Sequence, residues 1–315
     1  MPGSGSTCCV IGGAGFVGAS LVPVLVQSGR EVVVVGRRDK PGRELPSEVR
    51  YIPCDYGDRE RLRPILVGAT EVIDLAYSTV PQTSFADPVY DIVSNLPPSV
   101  GMLQEALSAG VERVVLGSSG GTVYGVAQVL PIREDHPTYP ISPYGITKLA
   151  IEKYGWMFHH VYGLNVVAVR PSNAYGEGQR VGSGQGFIAA AMHALVRNEP
   201  VTVYGETGTV RDYVHVSDVA LGIFAALVHG QSGCAYNIGS GIGRSNLDIL
   251  NAIAPLANRA GLEVRTEVRP LRAYDVPANI LDSSALEAIS DWRPRIDFDA
   301  GIAATWDYYL RNALS

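Results

Sequence analysis

Residues 7–18 read TCCVIGGAGFVG. An apolar, β-branched run breaks into glycines at 12, 13, 15 and 18. The residues that follow, Phe16 to Ser28, are apolar on most helical faces and end at Gly29. A buried strand that turns directly into a helix needs small residues at the turn. Gly12, Gly15 and Gly18 have the spacing GxxGxxG, and each has its own task. Gly12 lets the chain turn, Gly15 lets a pyrophosphate approach the backbone, and Gly18 lets the helix pack closely on the sheet. The helix start then offers unpaired N–H groups and the positive end of its dipole to phosphates. The stretch predicts the first strand–helix unit of a dinucleotide-binding fold.

Strand-like runs recur at 31–35 (EVVVV), 49–55 (VRYIPCD), 71–77 (EVIDLAY), 112–119 (ERVVLGSS) and 164–173 (LNVVAVRPSN), with helical patterns between and after them, for example 100–109. Strands alternating with helices predict a parallel sheet covered on both faces. After about residue 175 the alternation gives way to glycine-rich loops mixed with helices at 186–197 and 216–229. The expected architecture is α/β: a Rossmann-type doubly wound parallel sheet over 1–175, and a smaller C-terminal substrate-binding region over 176–315. Some segments of that region, such as 234–238, are expected to return to the main sheet.

A chain of 315 residues, 46% of them hydrophobic, buries a sufficient core without disulfides or metal. Cys8, Cys9, Cys54 and Cys234 form no CxxC pair and read as reduced structural residues of a cytoplasmic protein, with no metal site. The net charge of −6 and the lack of a basic, aromatic-interleaved stripe argue against nucleic acid. No run of 18 apolar residues spans a membrane, and MPGSGST lacks the positive charge of a signal peptide.

The second strand ends in Gly36, Arg37 and Arg38, where an NAD site usually places Asp or Glu on the ribose 2′-hydroxyl. Two guanidiniums could instead pair with a 2′-phosphate, which leans towards NADP; a solvated surface pair is the competing reading. Asp55, after the third strand, could hydrogen-bond the adenine amino group.

Tyr144 and Lys148 stand four apart in SPYGITK, on one face of a helix beginning near Pro143. An ammonium beside a phenol favours the phenolate, and such a base can take a proton from a sugar hydroxyl while hydride leaves the same carbon. Upstream lies GSSGGTVYG at 117–125.

With GGAGFVG, the SSGGTVYG loop, SPYGITK, VRPSNAYGEGQ and GTVRDYVHVSDVA in this order, nearly the whole chain resembles the extended short-chain dehydrogenases/reductases. The resemblance is to their NAD(P)-dependent nucleotide-sugar epimerase/dehydratase group, UDP-glucose/galactose 4-epimerases among them. It implies that Gly12, Gly15, Phe16 and Val17 cradle the pyrophosphate, and that Asp55 and Tyr56 lie at the adenine. Leu75, Ala76, Tyr77, Ser118 and Pro171 would line the cofactor cleft. Tyr144 would be the base and Lys148 the ribose-binding lysine. Asn173 and Arg211 would hold the substrate diphosphate, Arg272 and Asp275 the far end of the substrate, and Tyr204 the base. Thr79, Gly120, Thr122 and Gly186 would border the sugar, the small residues 182–184 and Gly186 leaving room for a substituted hexose. For Arg211 a pairing with Asp212 or Asp218 competes, for Asn173 a bond to loop backbone, and for Asp275 a cap near Pro277. His215 reads as a structural hydrogen-bonder. The resemblance also implies a homodimer joined through helices near 95–109 and 144–161.

Two departures matter. Counting back from VYG, the group has Ser or Thr where this chain has Gly120, so the usual hydroxyl relay is lost. If the strand continues regularly, Ser119 points away and Thr122 returns to the sugar side, with space for a water above Gly120. The dehydratases carry Asp–Glu where this chain has Gly121 and Thr122, which disfavours dehydration. The remaining readings are a UDP- (or dTDP-) hexose 4-epimerase with bound NAD, an NADPH-dependent 4-ketoreductase of an NDP-4-keto-6-deoxy sugar, and a non-catalytic cofactor-binding regulator. On the strand-parity argument, Thr122→Ala slows turnover severely and Ser119→Ala less.

Overall fold

The structure is a computed structural model and describes residues 5–180, 186–272 and 275–313. In chain order the elements begin β1 (Thr7–Ile11), α1 (Phe16–Gln27), β2 (Glu31–Gly36), β3 (Arg50–Pro53), α2 (Arg59–Leu66), β4 (Glu71–Asp74), α3 (Pro81–Ala86) and α4 (Pro88–Ser108). They continue with β5 (Arg113–Gly117), α5 (Pro143–Tyr162), β6 (Val166–Pro171), β7 (Asn173–Tyr175), α6 (Phe187–Val196), β8 (Val201–Tyr204) and β9 (Val210–His215). The chain closes with α7 (Val216–His229), β10 (Ala235–Ile238), β11 (Gly243–Arg244), α8 (Asn246–Arg259), β12 (Thr266–Arg269), β13 (Ala278–Asn279), α9 (Ser284–Ile289) and α10 (Phe298–Ala313).

Seven strands form one all-parallel sheet in the order β10-β6-β5-β4-β1-β2-β3. The order reverses between β1 and β4, so a crevice opens at the carboxyl ends of these neighbours, where doubly wound sheets take their ligands. The wholly buried β2 run VVVV and the β1 residues Cys8 to Ile11 carry no polar alternation, because helices cover both faces. On one face α1, α7 and α9 bury Leu21, Leu25, Val219, Ile223 and Leu286 against the sheet. On the other, α2, α4 and α5 bury Leu62, Leu66, Met102, Leu103, Ile151 and Phe158.

The C-terminal half contributes to both parts of the molecule. β10 extends the main sheet beside β6, and α7 packs on α1. The remainder makes a smaller core from α6, α8 and α10, with Met192, Ile253 and Trp306 fully buried. There β9 pairs with β7, β11 and β13, and β8 pairs with β12.

α4 starts well before the helical stretch at 100–109. Asp87 caps it by accepting from Tyr90 N–H at 2.8 Å, and Pro88 takes the first position, where a missing N–H costs nothing. Pro97 and Pro98 lie inside the helix, which continues through both. α5 is bounded as its sequence suggests. The Ser142 hydroxyl accepts from Gly145 N–H at 3.1 Å, and Gly163 ends the helix at φ 72°.

Beneath the 118–125 loop lies a buried ion pair. Arg170 on β6 contacts Glu152 on α5 at 2.6 Å, and both side chains are almost fully shielded. The Ser118 hydroxyl donates to Glu152, Arg170 donates to the Tyr124 hydroxyl at 2.8 Å, and Tyr124 donates to Asn237 at 2.7 Å. Strand, helix and loop are thus fixed by one satisfied network. Removing one partner leaves a bare buried charge, which costs about 3–5 kcal/mol. Glu152→Ala should lower unfolding stability by that amount in chemical denaturation; a loss under about 1 kcal/mol would show that the network does not fix the loop.

Candidate active site

A cleft of about 920 Å³ runs from the glycine turn of β1 to the smaller C-terminal part. Its walls collect Gly12, Gly15, Phe16, Val17, Gly18, Leu75, Tyr77, Ser118, Tyr144, Lys148 and Pro171 at one end. Thr79, Asn173, Gly186, Tyr204, Arg211, Arg272 and Asp275 line it further along, with Ser119 and Thr122 between. Gly182, Ser183 and Gly184 lie outside the described residues.

At the phosphate end the chain turns at Gly12, whose φ is +80° and where a Cβ would meet Ala76 N at 2.9 Å. Helix α1 starts at Gly15 with no side-chain cap and no acidic residue in its first turn. Its first N–H groups therefore open onto the cleft, a donor set that suits a diphosphate. Ala76 donates its N–H to Asp74 at 3.0 Å, which orients the backbone beside Gly12.

A second recess holds Arg37, Asp55 and Tyr56. Asp55 accepts from Gly57 N–H at 3.0 Å, and the Tyr56 hydroxyl lies 3.5 Å from Ser99. Arg38 departs from its expected partnership with Arg37. Its guanidinium lies beside Gly42, next to that of Arg180, while Arg37 borders the recess.

The Lys148 ammonium donates to the Gly117 carbonyl at 2.6 Å and sits 4.0 Å above the Tyr77 ring. It is 5.9 Å from the Tyr144 ring, which meets Tyr77 edge-on at 4.8 Å between centroids. Burial pushes Lys148 down to about 8, against the pull of Asp74, Glu152 and Asp91. Burial also raises Asp74 to about 6, with Lys148 opposing. The Tyr144 hydroxyl is pushed up by burial and then by Asp91, and a hydrogen bond with Ser119 pulls it down. In the protein alone, burial outweighs the Ser119 hydrogen bond, so the Tyr144 hydroxyl is held above its ordinary value.

The loop reading is also corrected. β5 stops at Gly117, and the chain turns instead of continuing, with Val123 N–H bonding the Ser119 carbonyl at 3.1 Å. The turn breaks the strand parity, and the Ser119 side chain reaches Tyr144. Thr122 lines the cleft, yet its Oγ1 is shut off from solvent and has no hydrogen-bond partner among the described residues. Gly120 has no open space above it. A Cβ there would lie 2.4 Å from Leu281 Cδ1 and 2.8 Å from the Arg170 carbonyl. Gly120 is therefore a packing residue, pinned by Asn279 to its carbonyl at 3.1 Å. The hydroxyl that position 120 lacks is present one residue earlier.

At the far end Arg272 holds Asp275 through two bonds of 2.8 and 3.0 Å and stacks on the Tyr204 ring at 4.3 Å. Asp275 is thus an ion-pair partner and not a turn cap. Arg211 donates to the Val210 and Val276 carbonyls at 2.8 and 2.9 Å, and burial lowers its pKa. Asp212 is committed to the Ser240 hydroxyl and N–H, and Asp218 accepts from Ile296 N–H, so neither neutralises Arg211 as the competing reading had it. His215 accepts from Ser217 N–H and meets Glu177 at 3.1 Å, a structural part. Among the described residues no cluster could hold a metal, and no helix is long and apolar enough to cross a membrane.

Two residues of this site escape the sequence reading. Asp74 ends β4 inside an apolar run, and Asp91 begins a buried polar stripe, Asp91, Asn95 and Ser99, at helical spacing on α4. That i, i+4, i+8 stripe was the available signal, and it begins before the 95–109 region read as helical.

The model of the NAD dependent epimerase/dehydratase family matches residues 8–239. A UDP-glucose 4-epimerase of Mycolicibacterium smegmatis is 31% identical, covering 96% of this chain and 98% of that protein. The solved UDP-glucose 4-epimerase of Thermotoga maritima with UDP-glucose superposes with a TM-score of 0.91 at 30% identity, over 98% of this chain and 100% of that one. The Thermus thermophilus UDP-glucose 4-epimerase in complex with NAD gives 0.88 at 33% identity, over 96% and 98%. On the family match over residues 8–239 and on these relatives, the chain belongs to the NAD dependent epimerase/dehydratase family.

Proposed function

We propose that this protein is a nucleotide-sugar 4-epimerase that interconverts UDP-hexoses through a transient 4-keto sugar. The observation that carries the reading is the Ser119–Tyr144–Lys148 constellation, seated in one cleft between an uncapped helix start and the Arg211 and Arg272 guanidiniums. NAD is the proposed cofactor, as in the Thermus relative. The α1 start and Gly12 would hold its diphosphate, and Asp55 and Tyr56 would border its adenine. When bound it supplies a hydride acceptor and donor, and a positive charge beside Tyr144.

Tyr144 takes the proton of the sugar 4-hydroxyl as the hydride leaves the same carbon, and returns it after the ketone has turned over. Ser119 bonds the Tyr144 hydroxyl and so passes that proton along a fixed line. Lys148 supplies positive charge to the phenolate and donors to the cofactor ribose. Arg211 and Asn173 would grip the substrate diphosphate, which stays bound while the sugar rotates. Gly121 and Thr122 provide no acid to eliminate water, so the 4-keto sugar returns to a hexose.

Arg37 favours a second reading. The end of β2 carries no carboxylate, and a guanidinium borders the adenosine recess, which suits NADPH and a 4-ketoreductase. We further propose a homodimer, since Tyr90 and Val93 of α4 and Ile146 and Trp156 of α5 are exposed apolar residues on packed neighbours, and a cytoplasmic location.

Purified protein should interconvert UDP-glucose and UDP-galactose without added cofactor and release NAD+ on denaturation. Turnover that consumes added NADPH with a 4-keto sugar would establish the reductase instead. Tyr144→Phe should lower kcat by about a thousandfold. Ser119→Ala should lower it by about a hundredfold, and Thr122→Ala by much less; the opposite order would return the relay to Thr122. Because Lys148 titrates at about 8 and its ammonium is lost as pH rises through that value, kcat should fall above about pH 8. The fall should be absent in Lys148→Arg, whose charge persists.

A further inference from the structure

Asp91 is wholly buried on α4, yet no lysine or arginine reaches it within ion-pair distance among the described residues. Its two oxygens are held by neutral hydroxyls. Thr147 donates to Oδ2 at 2.6 Å, and Thr79 donates to Oδ1. Asn95 donates to the Asp91 carbonyl at 2.7 Å and accepts from Ser78 N–H at 2.7 Å, which ties the same turn of α4 to the cleft wall. Burying a carboxylate without a cation is costly, and such groups concentrate where function requires them. Thr147 lies between Tyr144 and Lys148 on α5, and it also hydrogen-bonds the hydroxyl of Tyr77, whose ring lies against both. Thr79 lines the cleft.

We propose that Asp91 is a positioning residue for the Tyr144–Lys148 pair: by holding Thr147 on the catalytic helix and Thr79 on the cleft wall, its carboxylate fixes the pair against the sugar end of the cleft. The inference rests on the catalytic reading of Tyr144 and Lys148. The charge also acts on them directly, opposing ionisation of Tyr144 and supporting the ammonium of Lys148. The other titratable groups facing this pair are Asp74 and Tyr77 from the end of β4, Glu152 from α5, and Tyr56 beyond β3. Arg170 of β6 faces it through its bond to Glu152.

Asp91→Asn keeps the shape and can bond both threonines, but removes the charge. With it gone both titrations move to lower pH, so the pH–kcat profile should shift towards acid by about half a unit or more, with KM within about twofold. Thr147→Val should lower kcat about tenfold at unchanged KM, and Thr147→Ser should restore it. The inference is overturned if Asp91→Asn changes only the melting temperature, or if Thr147→Val and Thr147→Ser behave alike. Should Asp91→Asn fail to fold, the Thr147 pair decides. A wild type that does not interconvert UDP-hexoses would instead defeat the activity reading. The phenolate difference spectrum, wild type minus Tyr144→Phe, then still reports whether Thr147→Val, but not Thr147→Ser, displaces the Tyr144 titration.

Discussion

A lysine ammonium and a tyrosine hydroxyl are buried side by side at the end of a parallel sheet, and the surrounding structure answers the electrostatic demand this makes. Desolvation disfavours both charged forms, driving Lys148 down and Tyr144 up. Lys148 keeps its charge through the Gly117 carbonyl, the Tyr77 face and three carboxylates contributed by β4, α4 and α5. For Tyr144, burial and the Asp91 charge outweigh the hydrogen bond from Ser119 and hold its hydroxyl above the ordinary value. On the proposed reading, Tyr144 acts as a base once a bound cofactor adds its positive charge to the cleft.

The sheet and the helices that cover it bring these groups together. The reversal between β1 and β4 opens the crevice, and the uncapped start of α1 points into it. The Glu152–Arg170 pair then locks the loop carrying Ser118 and Ser119 onto α5 and β6. Held by these ties, the loop turns the Ser119 side chain to the phenol.

Much of this was readable from residues. The strand–glycine–helix order at 7–28 and the helix carrying Tyr144 and Lys148 follow from local patterns strong enough to survive tertiary context. What escaped depended on contacts far apart in sequence. The register of SSGGTVYG could not be counted from VYG, because a turn after Gly117 replaces the strand, and Leu281, more than 150 residues away, fills the space beside Gly120. The Arg38 guanidinium lies near Gly42 while Arg37 borders the second recess, and Asp91 lies on the part of α4 before the 95–109 region read as helical. The upward push on the phenol was hidden for the same reason: burial is a tertiary quantity, and no spacing of Tyr and Lys reports it.

On the proposed reading, hydride leaves and returns to one sugar carbon inside this cleft. UDP-glucose deuterated at C4, turned over by the purified protein in ordinary water and read by NMR, tests it most directly. The UDP-galactose formed should retain its deuterium at C4, since the hydride never meets solvent. Loss of that deuterium to water would contradict it.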